Sequence, residues 1–157
     1  MKNKKIYISG DHAGFNLKEE IKPWLQKEGY EIREFGPYDY KKDDDYPDFI
    51  ISMAKALVKD KDKNSRGLII AGSGQGEMIA ANKLKGIRAA LFYGGNLKII
   101  KTTRKHNDSN ILCIGARFIR DEAEVKKAID LFLKTRFSNA GRHKRRLEKF
   151  KSLGSKL

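Results

Sequence analysis

The chain has a single cysteine, Cys113, in 157 residues, so an internal disulfide is impossible and a metal site built on several thiolates is excluded. No apolar run approaches the length of a membrane span. Met1–Gly10 is basic but lacks the apolar core of a signal peptide, because Ile6, Tyr7 and Ile8 give way at once to Ser9, Gly10 and Asp11. A reducing, cytoplasmic setting without membrane contact is therefore expected. There is no internal repeat, no low-complexity linker and no composition break, which leaves one domain spanning 1–157, with a basic C-terminal helix from about 141. Two glycine-loop motifs are absent as well. After Gly72-Ser73-Gly74, a dinucleotide fingerprint requires glycine at position 77, which is Glu77, and the Gly-Lys-Ser/Thr of a nucleotide-triphosphate loop occurs nowhere.

What is present is an ordinary share of apolar residues, 39%, under a heavily charged surface, 34%, with a formal net charge of +14. Much of that charge lies at the end of the chain, where residues 134–157 carry nine Lys or Arg residues against the single Glu148. Clustered cations of this kind fit a solvated surface helix, a nucleic-acid footprint, or a grip on a small phosphorylated ligand.

Short β-like runs alternate with helical ones. Lys5–Ser9, Tyr30–Phe35, Gly67–Ala71, Ile87–Tyr93 and Ile111–Ile114 read as strands, and the unbroken apolar run at 67–71 is the pattern of a strand buried on both faces. Helices are expected over Phe15–Lys27, Asp48–Lys59, Glu77–Lys83, Asn96–Lys105, from an Asp121 cap to about Arg136, and over about Gly141–Leu153. Pro23 falls within the first of these and Gly29 stands at its stop. Five such units in sequence imply an α/β fold with a five-stranded parallel sheet and helices on both faces. Ligands in such sheets bind beyond the carboxyl ends of the strands. That rule selects Gly10–Gly14, Gly72–Gly76 and the segment before Arg117.

Gly72-Ser73-Gly74-Gln75-Gly76 is the most informative of these segments. Alternate glycines after a buried strand let the backbone aim its N–H groups at one point, and the following helix adds its N-terminal field. Glu77 at the start of that helix would repel a bound polyanion. A base placed over an anion-stabilising loop makes sense if the anion forms only during reaction, as an enediolate does. The alternative is a tight turn without a ligand. Asp11-His12 reads as a candidate site pair or as a polar turn capping the next helix. His106-Asn107 precedes the fifth strand in a segment rich in turn formers. Arg142 and Arg146 lie one helical turn apart on one face, which suits two guanidinium forks on a phosphate monoester or a solvated basic face.

Taken together, Gly10-Asp11-His12-Ala13-Gly14, Asp43-Asp44-Asp45-Tyr46-Pro47, Gly72-Ser73-Gly74-Gln75-Gly76-Glu77 with Ile79-Ala80-Ala81-Asn82-Lys83, Arg104-Lys105-His106-Asn107-Asp108 and Arg142-His143-Lys144-Arg145-Arg146 resemble ribose-5-phosphate isomerase B. They stand in that family's order and spacing over about residues 4–150. The resemblance implies a three-layer, Rossmann-like α/β/α sandwich and a cofactor-free, metal-free interconversion of D-ribose 5-phosphate and D-ribulose 5-phosphate. It implies that Glu77 is the base and that backbone N–H groups of Gly72, Gly74, Gln75 and Gly76 hold the enediolate, with Ser73 beside the reacting hydroxyls. His106 opens the sugar ring, Asp11 and His12 form the opposite wall, Asn107 helps hold the intermediate, and Arg117, Arg142 and Arg146 clamp the phosphate. It further implies a homodimer with shared active sites, in which His106, Asn107 and Arg117 serve the partner's Glu77, with a tetramer as the further assembly.

One departure separates this chain from a large branch of that family. The position that carries a cysteine base there is Ala71 here, and Cys113 lies on another strand, which points to the glutamate branch and to a core role for the thiol. A six-carbon substrate, galactose 6-phosphate or allose 6-phosphate, is the alternative within the family. A nucleic-acid-binding module is the alternative outside it, although the strong motifs sit at strand ends and not along a basic, aromatic surface, and no specific nucleic acid is expected.

Overall fold

A computed structural model describes residues 4–154. The first three residues and the last three, 155–157, which end the basic C-terminal stretch, lie outside the described residues.

The strands are β1 (Lys5–Gly10), β2 (Glu31–Glu34), β3 (Arg66–Ala71), β4 (Ala89–Phe92) and β5 (Ile111–Gly115). The helices are α1 (Phe15–Lys27), α2 (Tyr46–Lys59), α3 (Gln75–Asn82), α4 (Lys98–Asn107), α5 (Glu122–Lys134) and α6 (Gly141–Glu148). All strand pairs are parallel, in the order β2-β1-β3-β5-β4. The sheet is covered on both sides. Ile6, Ile8, Leu68, Ile70, Leu112 and Ile114 meet α1, α4 and α5, whereas Tyr7, Ile69, Ala71, Ile111 and Cys113 meet α2 and α3. The expected three-layer α/β/α architecture is thus the one observed.

Alternation within one strand produces these two cores, since successive side chains of β3 point to opposite faces and every residue of that strand is buried. Pro23 does sit inside α1. It removes one helical hydrogen bond at a cost of about 3 kcal/mol. Ile21 and Leu25 on either side are fully buried, and at about 1.5–3 kcal/mol each they offset that loss. Asp121 caps α5 as expected, accepting the Glu124 N–H at 2.7 Å.

Several boundaries differ from the sequence reading. α2 begins at Tyr46, before the expected Asp48, because Pro47 occupies the first turn, where its missing N–H costs nothing. α3 begins at Gln75, two residues early, which puts Glu77 in the first turn and not at the first residue. α4 runs to Asn107 and is stopped by Asp108 in the left-handed region, φ 46°, so His106 and Asn107 are helical. β4 is shorter than 87–93, and α6 ends at Glu148, well before Leu153.

The connection out of β1 leads to β2 on one side, and β3 returns to its other side. The loops after β1 and β3 therefore diverge at the carboxyl ends of neighbouring strands, the place where such sheets form a cleft.

Candidate active site

Asp11 fastens the two loops at that cleft. Its Oδ1 accepts the Gly14 N–H at 2.8 Å and its Oδ2 accepts the Gly72 N–H at 3.3 Å, so one carboxylate spans both strand ends. Asp11 is buried at 7% exposure. His12 follows, with Nδ1 3.2 Å from Asp44 Oδ1.

The chain then crosses the glycine loop. Gly74 has φ 72°, a conformation that favours glycine, and it turns the chain into α3. At Gly76 a β-carbon would collide with the Tyr46 hydroxyl, so that ring lies directly against the loop. The Gln75 N–H donates to Ser73 Oγ at 3.2 Å, and the Gly72 N–H is taken by Asp11. The N–H groups of Ser73, Gly74 and Gly76 donate to no acceptor among the described residues. Of the loop amides expected to hold an anion, Gly74 and Gly76 remain available, joined by Ser73. Those of Gly72 and Gln75 are already engaged.

Glu77 stands in the first turn of α3 with 3% of its surface exposed. Burial above all, with the neighbouring Asp11 carboxyl and the Asp44 charge adding to it, raises its carboxyl to about 7, against the opposing effect of a hydrogen bond from its own backbone N–H. A carboxylate that titrates near neutrality is a matched general base. Cys113 is no competitor. It is fully buried and its thiol is pushed well above the ordinary range, by burial first and the Glu77 charge second. Ala71 ends β3, where it supplies no nucleophile.

Arg117 stays on this side of the molecule. Its N–H donates to Gly72 O at 3.1 Å, and its guanidinium carbon would stand 3.3 Å from a β-carbon at Gly72. The sequence reading grouped Arg117 with His106 and Asn107. The fold separates them, because the turn after β5 lies at a strand carboxyl end.

The second group assembles at the other end of the sheet. α4 leaves the carboxyl end of β4 and runs back, so that its last turn meets the residues entering that strand. Arg88 Nε donates to Asn107 O at 3.1 Å and Arg88 O accepts the Asn110 N–H at 3.0 Å. There the His106 ring lies against His143 of α6, with centroids 4.3 Å apart. Ser138 Oγ lies 2.7 Å from His143 Nδ1, and Arg142 Nε donates to His143 Nε2 at 3.3 Å. Burial, then the charges of His106, Arg142 and Arg146, hold the His143 imidazole below its ordinary range, so it is neutral and can accept from Arg142. His143 is the residue that sequence reasoning left without a role. Its place on the buried face of α6, between Arg142 and Arg146 in sequence, was the available signal.

One chain thus brings together Asp11, His12, Gly72–Gly76, Ser73, Glu77 and Arg117, and separately His106, Asn107, Arg142 and Arg146. It does not bring the two groups together. A cavity of about 750 Å³ lies with the second group, between residues 84–89 and residues 147–154, and its apolar walls include Leu84, Ile87, Leu147, Phe150 and Leu153. It touches Asn107 but not Glu77. Among the described residues no cluster of three or more His, Cys, Asp or Glu side chains has metal-binding geometry, and no helix is long and apolar enough to cross a membrane.

Comparison with known proteins gives a consistent answer. The model of the Ribose/Galactose Isomerase family matches residues 6–150. Ribose-5-phosphate isomerase B of Mycolicibacterium paratuberculosis is 40% identical over 144 residues, covering 92% of this chain and 87% of the relative. A probable ribose-5-phosphate isomerase B of Mycoplasma genitalium is 39% identical, covering 92% and 91%. The crystal structure of ribose-5-phosphate isomerase B from Mycoplasma genitalium with bound ribulose-5-phosphate superposes with a TM-score of 0.86 at 38% identity, covering 94% of each chain. The solved structure of Clostridium thermocellum ribose-5-phosphate isomerase B gives 0.83 at 41% identity, covering 94% and 95%.

Proposed function

The chain belongs to the ribose/galactose isomerase family, and from that premise we propose that it interconverts D-ribose 5-phosphate and D-ribulose 5-phosphate through an enediolate. The observation that carries this reading is the buried Glu77 carboxyl, titrating near neutrality beside three free main-chain N–H groups.

Glu77 takes the proton from C2 of the open-chain aldose. The C1 carbonyl electrons move onto oxygen, and the N–H groups of Ser73, Gly74 and Gly76 hold that charge. Glu77 then returns the proton to C1, the proton on O2 passes to O1, and the C2 carbonyl forms. The Ser73 hydroxyl, which accepts from Gln75 and keeps its own proton to donate, stands beside these oxygens. Asp11, fixed by two backbone donors, keeps the loops in register and raises the basicity of Glu77. With His12 it forms the wall opposite the partner's His106. Losing one donor to the developing oxyanion costs about 3–4 kcal/mol in the barrier of other enzymes.

The remaining roles require a second copy. His106 of the partner subunit opens the sugar ring, the partner's Asn107 helps hold the intermediate, and the partner's Arg142 and the partner's Arg146 join Arg117 on the phosphate. A homodimer supplies both halves twice. Supporting it, β4 is an edge strand paired only with β5, and Ile79, Tyr93 and Ile99 expose apolar surface nearby. We place the enzyme in the cytoplasm as a single sugar-phosphate isomerase domain needing no cofactor.

A coupled assay with ribose 5-phosphate, galactose 6-phosphate and allose 6-phosphate tests the reading. The five-carbon ester is expected to give the highest kcat/KM, and preference for a hexose ester would reassign the substrate. Arg142→Ala and Arg146→Ala are each expected to raise KM about tenfold or more with a smaller change in kcat. Unchanged KM in both would remove them from the clamp.

A further inference from the structure

The acidic stretch before α2 holds three consecutive aspartates, and they are not alike. Asp43 and Asp45 are exposed, while the Asp44 side chain retains only 4% of its surface. Helix capping does not account for it, since the cap position of α2 is Asp45 and no side chain caps it. Nor does a cation, because among the described residues the only ion-pair partner of Asp44 is His12, and its Oδ2 is buried without a hydrogen-bond donor. A buried carboxylate so poorly compensated is destabilising, and no structural role in the fold accounts for it.

His12 is held from two sides. Its Nδ1 faces Asp44, and its ring meets the edge of Tyr40 at 6.3 Å between centroids, with Tyr40 in turn against Phe15. An ionised carboxylate can only accept, so Nδ1 must carry the proton. In the neutral ring Nε2 is then the acceptor left for a ligand.

We infer that Asp44 is a positioning residue of the isomerisation: it fixes the His12 ring as the Nδ1–H tautomer and presents Nε2 to accept a hydroxyl of the sugar. This rests on the proposed function, in which His12 lines the wall opposite the partner's His106. Asp44 therefore acts through His12, as outer carboxylates act through the histidines they orient. Tyr40 from the loop after β2 faces the pair, and Glu77 of α3, itself beside Asp11, feels the charge of Asp44.

The test combines ring-nitrogen NMR with kinetics on the wild type, Asp44→Asn and Asp44→Ala, the His12 signals being assigned by their loss in His12→Gln. In the wild type the neutral His12 ring is expected as the Nδ1–H tautomer. Asp44→Ala should release it to the Nε2–H form and lower kcat/KM by about tenfold or more. Asp44→Asn, whose amide oxygen still accepts from Nδ1, should keep the tautomer and most of the rate. An Nε2–H tautomer in the wild type overturns the inference without any variant having to fold. A folded Asp44→Ala protein with an unchanged tautomer or an unchanged rate overturns it too. If the wild type turns over no sugar phosphate, the functional reading falls and the positioning role falls with it, and the wild-type assay shows that failure before any variant is made.

Discussion

Glu77→Gln is expected to lower kcat on ribose 5-phosphate by about a thousandfold to ten-thousandfold while leaving the fold intact. Glutamine keeps the shape and the α3 first turn but cannot take a proton from carbon. The wild-type profile of kcat/KM against pH should rise with pH and level off above about 7, because the base must be ionised and burial places its midpoint there. The same carboxyl also makes a prediction about stability. In the unfolded chain Glu77 releases its proton near the ordinary value of 4.5, whereas the folded site keeps it until about 7. The folded state therefore binds more protons between those values, and stability falls as pH rises through that window, by about 3 kcal/mol in all. Glu77→Gln should thus melt at a higher temperature than the wild type at pH 8 and at the same temperature below pH 4.5. A variant that loses turnover and gains stability at pH 8 alone identifies a base held in an environment hostile to its charge. Near-normal turnover in this variant would show that Glu77 is not the base.

The second large effect comes from mixing two inactive proteins. Glu77→Gln and His106→Ala should each be nearly inactive on ribose 5-phosphate alone. If the site is shared, a mixed dimer contains one site with both substituted residues and one with neither. Random reassociation of equal amounts gives half mixed dimers, so about one quarter of wild-type activity should return. Because the opposite-end placement of α3 and α4 keeps the two residues apart within one chain, no intrachain arrangement predicts this recovery. Activity that stays at the level of the separate variants, after subunit exchange is confirmed by mass, would contradict the shared site.

Much of this was legible in the sequence because the governing physics is local or periodic. The unbroken apolar run from Leu68 to Ala71 announced a strand covered on both faces, and the alternation of strand and helix announced parallel pairing. The Gly72–Gly76 loop could be read as an anion cradle, and Glu77 as a base, from residue chemistry alone. What could not be read depends on contacts between distant segments. That β3 lies between β1 and β5, leaving β4 at the edge, is decided by how the helices cover the sheet. The near-neutral titration of Glu77 needs Asp11, which is 66 positions earlier in the chain, and it needs the burial that α2 and α3 create. The loss of the Gly72 and Gln75 N–H groups to Asp11 and Ser73 could be seen only from coordinates, as could the inward turn of Asp44 between two exposed aspartates. Arg117 was grouped with His106 from family resemblance, and parallel topology puts the two at opposite ends of the strands.

The most direct test of the proton-transfer mechanism is turnover of ribose 5-phosphate in deuterium oxide, followed by mass and NMR analysis of the ribulose 5-phosphate formed. The account predicts deuterium bonded to C1 of the ketose with the wild type, through exchange on the Glu77 carboxyl, and both label and turnover reduced to background in Glu77→Gln. Undiminished turnover and labelling in Glu77→Gln would contradict it.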